Sequence, residues 1–426
     1  MKRRLAIGCL VLPVIAWLVY TLAGRALAAW MAQRWGALLL RAGDGKFTDA
    51  ALFVQHRLFE ATWLLTLGVG LLAVAVALGA LAARRLPRLW QWIPFALTGF
   101  VGLNVWLGLG MSTCLFWCLF WSGKAGTDNL TQFHIKLLLL DESAARVNVV
   151  LGGSSQTRAE IDPALLNRRL MPGIFTTELH FPGSYAYDLL FLDRELASRR
   201  AEVIVCYLSE ANFFTGGLSD GFPFFFSFGD WPDFARLGGK AGWRPRAMGY
   251  AVLGSVLPVF RLREALAYRV LGGNLADLRQ REENKALDAD LHGRAVAARS
   301  AYRTSPASQF QFDAFEVFVA RCRAQHRLLV LCSGQLNPLQ SRELDPELHR
   351  LLQSFLARLA ARYDNVVVVG EPQLPAQIEA DYKDLTHVNT EARERYTEAL
   401  APILAGLTNR VAGAVGLRFD PRATLP

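Results

Sequence analysis

The sequence contains no Cys-x-x-Cys pair and no His/Cys cluster at zinc-like spacing, so it gives little support to metal binding. Its six cysteines are scattered. Cys9, Cys114 and Cys118 fall in apolar segments, whereas Cys206, Cys322 and Cys332 lie in or beside expected core elements, and all six read as small core hydrophobes. No basic run interleaved with aromatics accompanies the formal charge of +9. Lys and Arg are spread along the chain, as on a solvated surface with basic membrane flanks, and nucleic-acid binding is not expected. Gly-x-Ser-x-Gly is also missing around Ser155, which disfavours a nucleophile elbow of the α/β-hydrolase kind. No metal and no cofactor are expected.

Apolar residues are abundant, at 52% of 426, and they crowd into the first third. The chain therefore reads as two unlike parts. Residues 1–121 form a membrane domain with three expected spans. Lys2, Arg3 and Arg4 precede an apolar stretch from Leu5 to Ala23, a signal peptide or a first transmembrane helix; Ala26-Leu27-Ala28 resembles a cleavage site, but the spans that follow favour a retained helix. The uncharged run 61–83 is long enough to cross a bilayer core of about 30 Å at about 1.5 Å per residue. From Leu89 to Trp121 the chain is apolar again, too long for one span and too short for two, so a span over 90–109 is expected, with a break near Gly110 to Thr113. Cys114 to Trp121 would lie at the interface, where aromatic rings favour the headgroup level. The basic residues Lys2 to Arg4 and Arg84, Arg85 and Arg88 set the cytoplasmic side, which places everything after residue 122 outside.

After a linker over 122–145, the β-branched run Arg146 to Leu151 ends in Gly152-Gly153-Ser154-Ser155, followed by a helical pattern from Asp162 to Leu170. A buried strand, a small-residue turn and a helix form the βα arrangement that carries active sites at the carboxyl ends of parallel strands. The alternation repeats: strands over 176–181, 202–208, 327–332 and 365–369, and helices over 187–199, 309–325 and 345–362. An α/β fold with a mainly parallel sheet and helices on both faces is predicted over residues 146–410, with a C-terminal tail over 411–426. The alternation fails in an insertion over 213–308, which holds the Phe-rich stretch Gly221 to Phe228 and an amphipathic segment over 253–271. Such an insertion serves as a lid, a partner surface or a membrane-contacting flap, or is an ordinary helical subdomain packing its own Phe residues.

Chemistry enters with Asp384-Leu385-Thr386-His387-Val388-Asn389, before a helical pattern that Asn389 can cap and that carries Glu391 in its first turn. A carboxylate three residues before a loop histidine can hold the ring in one tautomer and stabilise its imidazolium. A serine hydroxyl needs such a base in contact to act as a nucleophile at neutral pH.

Gly153-Ser154-Ser155-Gln156-Thr157, Pro182-Gly183, Leu208 to Asn212 and Asp384-x-x-His387, in this order, resemble the blocks of the SGNH (GDSL-like) hydrolase superfamily over residues 146–406. The resemblance is nearest to its membrane-tethered branch, similar to proteins that acylate exported polysaccharides beside membrane-bound O-acyltransferases and to the D-alanine transfer protein of teichoic acid. It implies a flavodoxin-like, three-layer α/β/α domain. It also implies Ser155 as nucleophile, with Ser154 in place of the usual Asp, and Asp384 and His387 as its catalytic partners. Ser155 and Gly183 supply oxyanion amides, and Asn212 is the nearest match for the side-chain donor. The usual Gly-x-Asn-Asp block is absent, so Ser209 or the insertion competes with Asn212 for that role. His180, three residues before Gly183, is a further candidate for lining the pocket; His56, His134, His292, His326 and His349 have no comparable context.

These residues imply a serine O-acyltransferase or acylesterase with an acyl donor and a glycan acceptor. It would sit multi-pass in the inner membrane with its catalytic domain on the periplasmic or extracellular side, beside a membrane O-acyltransferase or polysaccharide synthase. The alternatives are a lipid or glycan esterase and a non-catalytic assembly or glycan-binding subunit that keeps the fold.

Overall fold

The computed structural model describes residues 70–110 (except 72, 85 and 88–89), 133–141 (except 135 and 138–139), 143, 145–214 (except 182), 219, 222–237, 245–262 and 291–414. The expected first span, the interfacial segment 114–121 and the tail from 415 lie outside them. The chain divides into two compact units: one takes in 47–135 and 252–273, the other 136–251 and 274–426. Residues 252–273, placed by the sequence inside the insertion of the α/β part, thus group with the apolar N-terminal part.

In the first unit, helix α1 (Ala73–Ala83) covers the end of the expected second span. Helix α2 (Trp92–Gly110) coincides with the third and carries no charge in 19 residues. Among the described residues it is the one helix long and apolar enough to cross a membrane. Its Trp92, Leu97 and Val101 are exposed, an apolar surface unlike that of a water-facing helix. Its polar Asn104 is satisfied within this unit: Nδ2 donates to Phe100 O at 2.9 Å and Oδ1 accepts from Val259 N at 3.1 Å. In hydrocarbon an amide without such partners would be costly.

The second unit is α/β. In chain order it contains β1 (Val147–Gly153), α3 (Ser155–Glu160), α4 (Pro163–Arg169), β2 (Ile174–His180), α5 (Leu189–Leu196), β3 (Val203–Leu208) and α6 (Glu210–Phe213). There follow α7 (Phe222–Phe225), α8 (Trp231–Leu237), α9 (Leu291–Ala301), α10 (Pro306–Ala324), β4 (Leu328–Ser333), α11 (Pro338–Glu343), α12 (Pro346–Arg362), β5 (Val366–Val369) and α13 (Thr390–Ala414). The five strands form one sheet in the order β2-β1-β3-β4-β5, every pairing parallel. That is a doubly wound order, which places a crevice at the carboxyl ends of β1 and β3. β1, β2 and β3 are buried along their whole length; β1 and β3 accordingly read as largely apolar runs, whereas β2 buries Thr176, Thr177, Glu178 and His180.

Both faces of the sheet are covered. Val149, Leu151, Val205 and Val330 pack with Leu166 of α4 and Tyr396, Leu400 and Leu404 of α13. On the other face a Cβ at Gly152 would meet Leu192 and Leu189 of α5. The Phe-rich stretch is core: Phe222 and Phe226 are fully buried, and their rings lie 5.7 and 6.3 Å from that of Phe191 on α5. Of the alternatives open in the sequence, these phenylalanines fit packing rather than a free lid, although Phe228 is exposed.

Gly153 closes β1 with φ 142°, a conformation L side chains rarely adopt, and an added Cβ would lie 2.3 Å from Thr157 Oγ1. Gly153→Ala should therefore destabilise the α/β unit by about 1–3 kcal/mol. Gly370→Ala, with no such φ and its nearest contact at 3.5 Å, should stay within roughly 0.5 kcal/mol of wild type. Urea denaturation of the two variants checks this, and equal midpoints would refute it.

Candidate functional site

The strand order decides which loops meet. β1 is flanked by β2 and β3, so the segments leaving these strands, carrying Ser155, Gly183 and Asn212, stand side by side at one edge of the sheet. Ser154 is the N-cap of α3 and its hydroxyl accepts from Gln156 N at 3.2 Å, which puts Ser155 in the first position of that helix. This six-residue helix is too short for its period to show in the sequence.

His387 arrives from the other end of the chain. Its Nε2 lies 2.8 Å from Ser155 Oγ, and its Nδ1 lies 2.8 Å from Asp384 Oδ2. Asp384 Oδ1 accepts from Thr386 N at 2.7 Å and His387 N at 2.8 Å, so one carboxylate folds its own loop and orients the ring. Burial would raise the Asp384 pKa, but the hydrogen bond and charge of His387 and the two amides outweigh it and hold the carboxyl at about 2. An ionised Asp384 keeps a proton on Nδ1 and leaves Nε2 free to accept the Ser155 proton.

The loop itself is braced on three sides. Tyr382 and Val388 form an antiparallel bridge, with Lys383 N donating to His387 O at 2.8 Å. Asn389 caps α13 through its Oδ1 to Ala392 N at 2.9 Å, as the sequence predicts, while its Nδ2 holds Ala380 O at 2.9 Å. Asn337 holds the far side: its Nδ2 donates to Asp384 O at 3.1 Å and its N to Leu385 O at 3.2 Å. Asn337 was not singled out in the sequence, yet Asn337-Pro338 is a recognisable helix start, an N-cap residue followed by Pro at the first position.

The expected oxyanion donors lie around Ser155 with differing commitments. The Ser155 amide, at the first helical position, has no intrahelical partner to donate to. Gly183 sits in a turn closed by Ser184 N to Phe181 O at 3.2 Å, where it takes φ 63°. Asn212 is buried, caps Ser209 N through Oδ1 at 2.9 Å, and brings Nδ2 to 3.5 Å from Ser184 O, beside the Gly183 turn. Its rival Ser209 gives its hydroxyl to Gln156 Oε1 at 2.8 Å. Gln156, noted in the sequence only as part of a block, is buried, and its Nε2 has no hydrogen-bond partner among the described residues.

His180 pairs with Gly153 in the sheet register, two residues before Ser155. It is buried at the end of β2 with Nδ1 4.0 Å from Glu178 Oε1, which Lys136, from the expected linker, also holds at 2.8 Å. Burial pushes the His180 pKa down to about 4, so the ring is neutral at neutral pH. Among the described residues no group of three or more His, Cys, Asp or Glu could hold a metal ion, and Cys206, Cys322 and Cys332 are free and buried.

Behind the line lies a network with no signal in the sequence. Glu160, at the end of α3, accepts from Tyr207 Oη at 3.1 Å and from Gln377 Nε2 at 2.6 Å, and Gln377 Oε1 accepts from Tyr382 Oη. Burial raises the Glu160 pKa from 4.5 to about 7, against the two hydrogen bonds, with Asp381 adding to the rise. A raised folded-state pKa means that the contribution of Glu160 to stability is fully present below about pH 4.5 and lost as the pH climbs through about 7. Between pH 4.5 and 8 the wild type should therefore lose about 3 kcal/mol relative to Glu160→Gln. Paired denaturation curves across this range measure the difference, and a constant difference would refute the assignment.

No family model, curated protein or solved structure matches this chain.

Proposed function

We propose that the chain is a serine acyl-transfer enzyme of the SGNH type, tethered to the inner membrane with its α/β unit on the outer side. It moves an acyl group from an ester or thioester donor to a hydroxyl of a cell-surface or exported polysaccharide, or to water. The observation that carries this is the unbroken line Ser155 Oγ, His387, Asp384, with both contacts at 2.8 Å. The strand order, the same as in flavodoxin-like doubly wound sheets, supports an SGNH-type domain. The apolar, uncharged α2 supports the tether.

In this mechanism His387 Nε2 takes the hydroxyl proton as Ser155 Oγ attacks the donor carbonyl, and Asp384 stabilises the imidazolium. The amides of Ser155 and Gly183, with Asn212 Nδ2, receive the developing oxyanion. The leaving oxygen or sulfur departs with the proton from His387, leaving the acyl group on Ser155. An acceptor hydroxyl then gives its proton to His387 and attacks the acyl-enzyme, and collapse of the second tetrahedral intermediate returns the proton to Ser155. Exclusion of water at this step separates a transferase from an esterase.

The full-length protein in detergent should hydrolyse p-nitrophenyl acetate and be labelled once, at Ser155, by a fluorophosphonate. Ser155→Ala should abolish both. Asp384→Asn should lower kcat about 10³–10⁴-fold by favouring the wrong tautomer, and Asn212→Ala about 10²–10³-fold by removing an oxyanion donor. Persistence of ester turnover and polymer acylation in Ser155→Ala would leave the non-catalytic alternative standing.

A further inference from the structure

The segments leaving the carboxyl ends of β3, β4 and β5 border an open cleft of about 410 Å³, within the size range of ligand sites. Glu210, Gln335, His349, Glu371 and Gln377 line it together with the apolar Leu336. Its wall is continuous with the residues that hold the triad line. Glu210 follows Ser209, whose hydroxyl bonds Gln156 next to Ser155. Asn337, directly after Leu336, carries the Asp384 loop.

The lining polar groups are held in place before any ligand arrives. His349 Nδ1 lies 2.7 Å from Glu210 Oε1, and its Nε2 lies 3.9 Å from Glu371 Oε1. The hydrogen bond to Glu210 raises the His349 pKa above its ordinary value, which favours the imidazolium between the two carboxylates. Gln335 Oε1 accepts from Gln377 N at 3.0 Å and its Nε2 donates to Pro375 O at 3.2 Å, while Gln377 Nε2 donates to Glu160 Oε2 at 2.6 Å, so each of the two amide nitrogens carries a second N–H. Carboxylates and amides beside the apolar Leu336 and Pro338 match the hydroxyls and the C–H face of a sugar ring. Both basic side chains of the lining are already paired, His349 with Glu210 at 2.7 Å and Arg342 with Glu379 at 2.9 Å. Neither is left over to meet the carboxylate of an anionic sugar, so the lining favours a neutral one.

Resting on the acyl-transfer function above, we infer that this cleft is the acceptor subsite and that it takes a neutral, not a uronate, glycan. The sugar hydroxyls bond Glu371, His349 and the two glutamine amides, and a neighbouring ring reaches Ser155.

The test uses the full-length Ser155→Ala protein in detergent, so that binding is measured without turnover. Titration calorimetry with cellotetraose and mannotetraose should show binding of at least one, and tetramannuronate should bind at least tenfold more weakly. Glu371→Gln or His349→Ala should weaken binding about tenfold or more. Ser341→Trp, at an exposed position on α11 that lines the cleft, should block it sterically without touching the buried network. Absence of binding to both neutral probes, binding unaffected by all three variants, or tighter binding of the uronate would overturn the inference. Fluorophosphonate labelling of wild-type Ser155 is a separate readout. Labelling without glycan binding sinks the subsite alone, and glycan binding without labelling sinks the acyl-transfer function and with it the acceptor role, leaving only a glycan-binding cleft.

Discussion

The hydrogen bond between Ser155 Oγ and His387 Nε2 joins residues 232 apart in the chain, and the rest of the site is arranged to keep it. Closing so long a loop is entropically unfavourable, and no single hydrogen bond worth about 1 kcal/mol could hold it. The sheet supplies the closure. β1 lies in its interior, and α13, which follows His387, packs its Tyr396, Leu400 and Leu404 onto the same face as Val149 and Leu151. Thr397 Oγ1 on α13 accepts from Asp162 N at 2.9 Å, a second tie between the two ends of the chain. The serine and histidine therefore meet because the hydrophobic core has already brought α3 and the root of α13 together. The contact between them is a consequence of packing and is free to exchange protons.

The parts of this arrangement that were legible in the sequence are those that rest on local rules. β1 is legible as a β-branched run and β3 as an apolar one, as strands of a parallel sheet buried on both faces are. Asn389 was readable as a cap, and Asp384-x-x-His387 as a folded carboxylate–imidazole pair, because both bonds span only three residues. What could not be read is non-local. Glu160 becomes a buried acid only when Tyr207 from β3 and Gln377 from a loop 217 residues later close over it. His180 reads in the sequence only as a strand-end residue, and its burial beside Glu178 and Lys136 is set by packing.

The long insertion shows the same division between local and non-local information. A run of phenylalanines has no period that separates a core from a lid. Phe222 and Phe226 were assigned to the core only by the rings they meet: Phe191 from α5 and Phe234 from α8. The middle of the insertion, grouped with the apolar unit, has a polar signature instead. The amide of Val259 finds Asn104 in a helix otherwise free of strong polar side chains. An asparagine in such a helix is readable as an anomaly, but its partner lies 155 residues away.

Two carboxylates near the reactive serine show why environment, not residue type, assigns chemical roles. Asp384 is partly buried and held at about 2, whereas Glu160 is fully buried and raised to about 7. Asp384 receives two backbone N–H groups and an imidazole, all favouring its anion; Glu160 receives one phenol and one amide, too little to offset burial. An acyl transfer through His387 needs one fixed negative charge at Nδ1 as the imidazolium forms and gains nothing from a second charge buried under the serine helix. A Glu160 that readily takes a proton keeps that second charge small while its hydrogen bonds still brace Gln377 and, through it, Tyr382 at the root of the Asp384 loop. The separation of the two pKa values thus follows from the deep burial of Glu160 on one side and, on the other, from the amides and the imidazole that Asp384 gathers within its own loop.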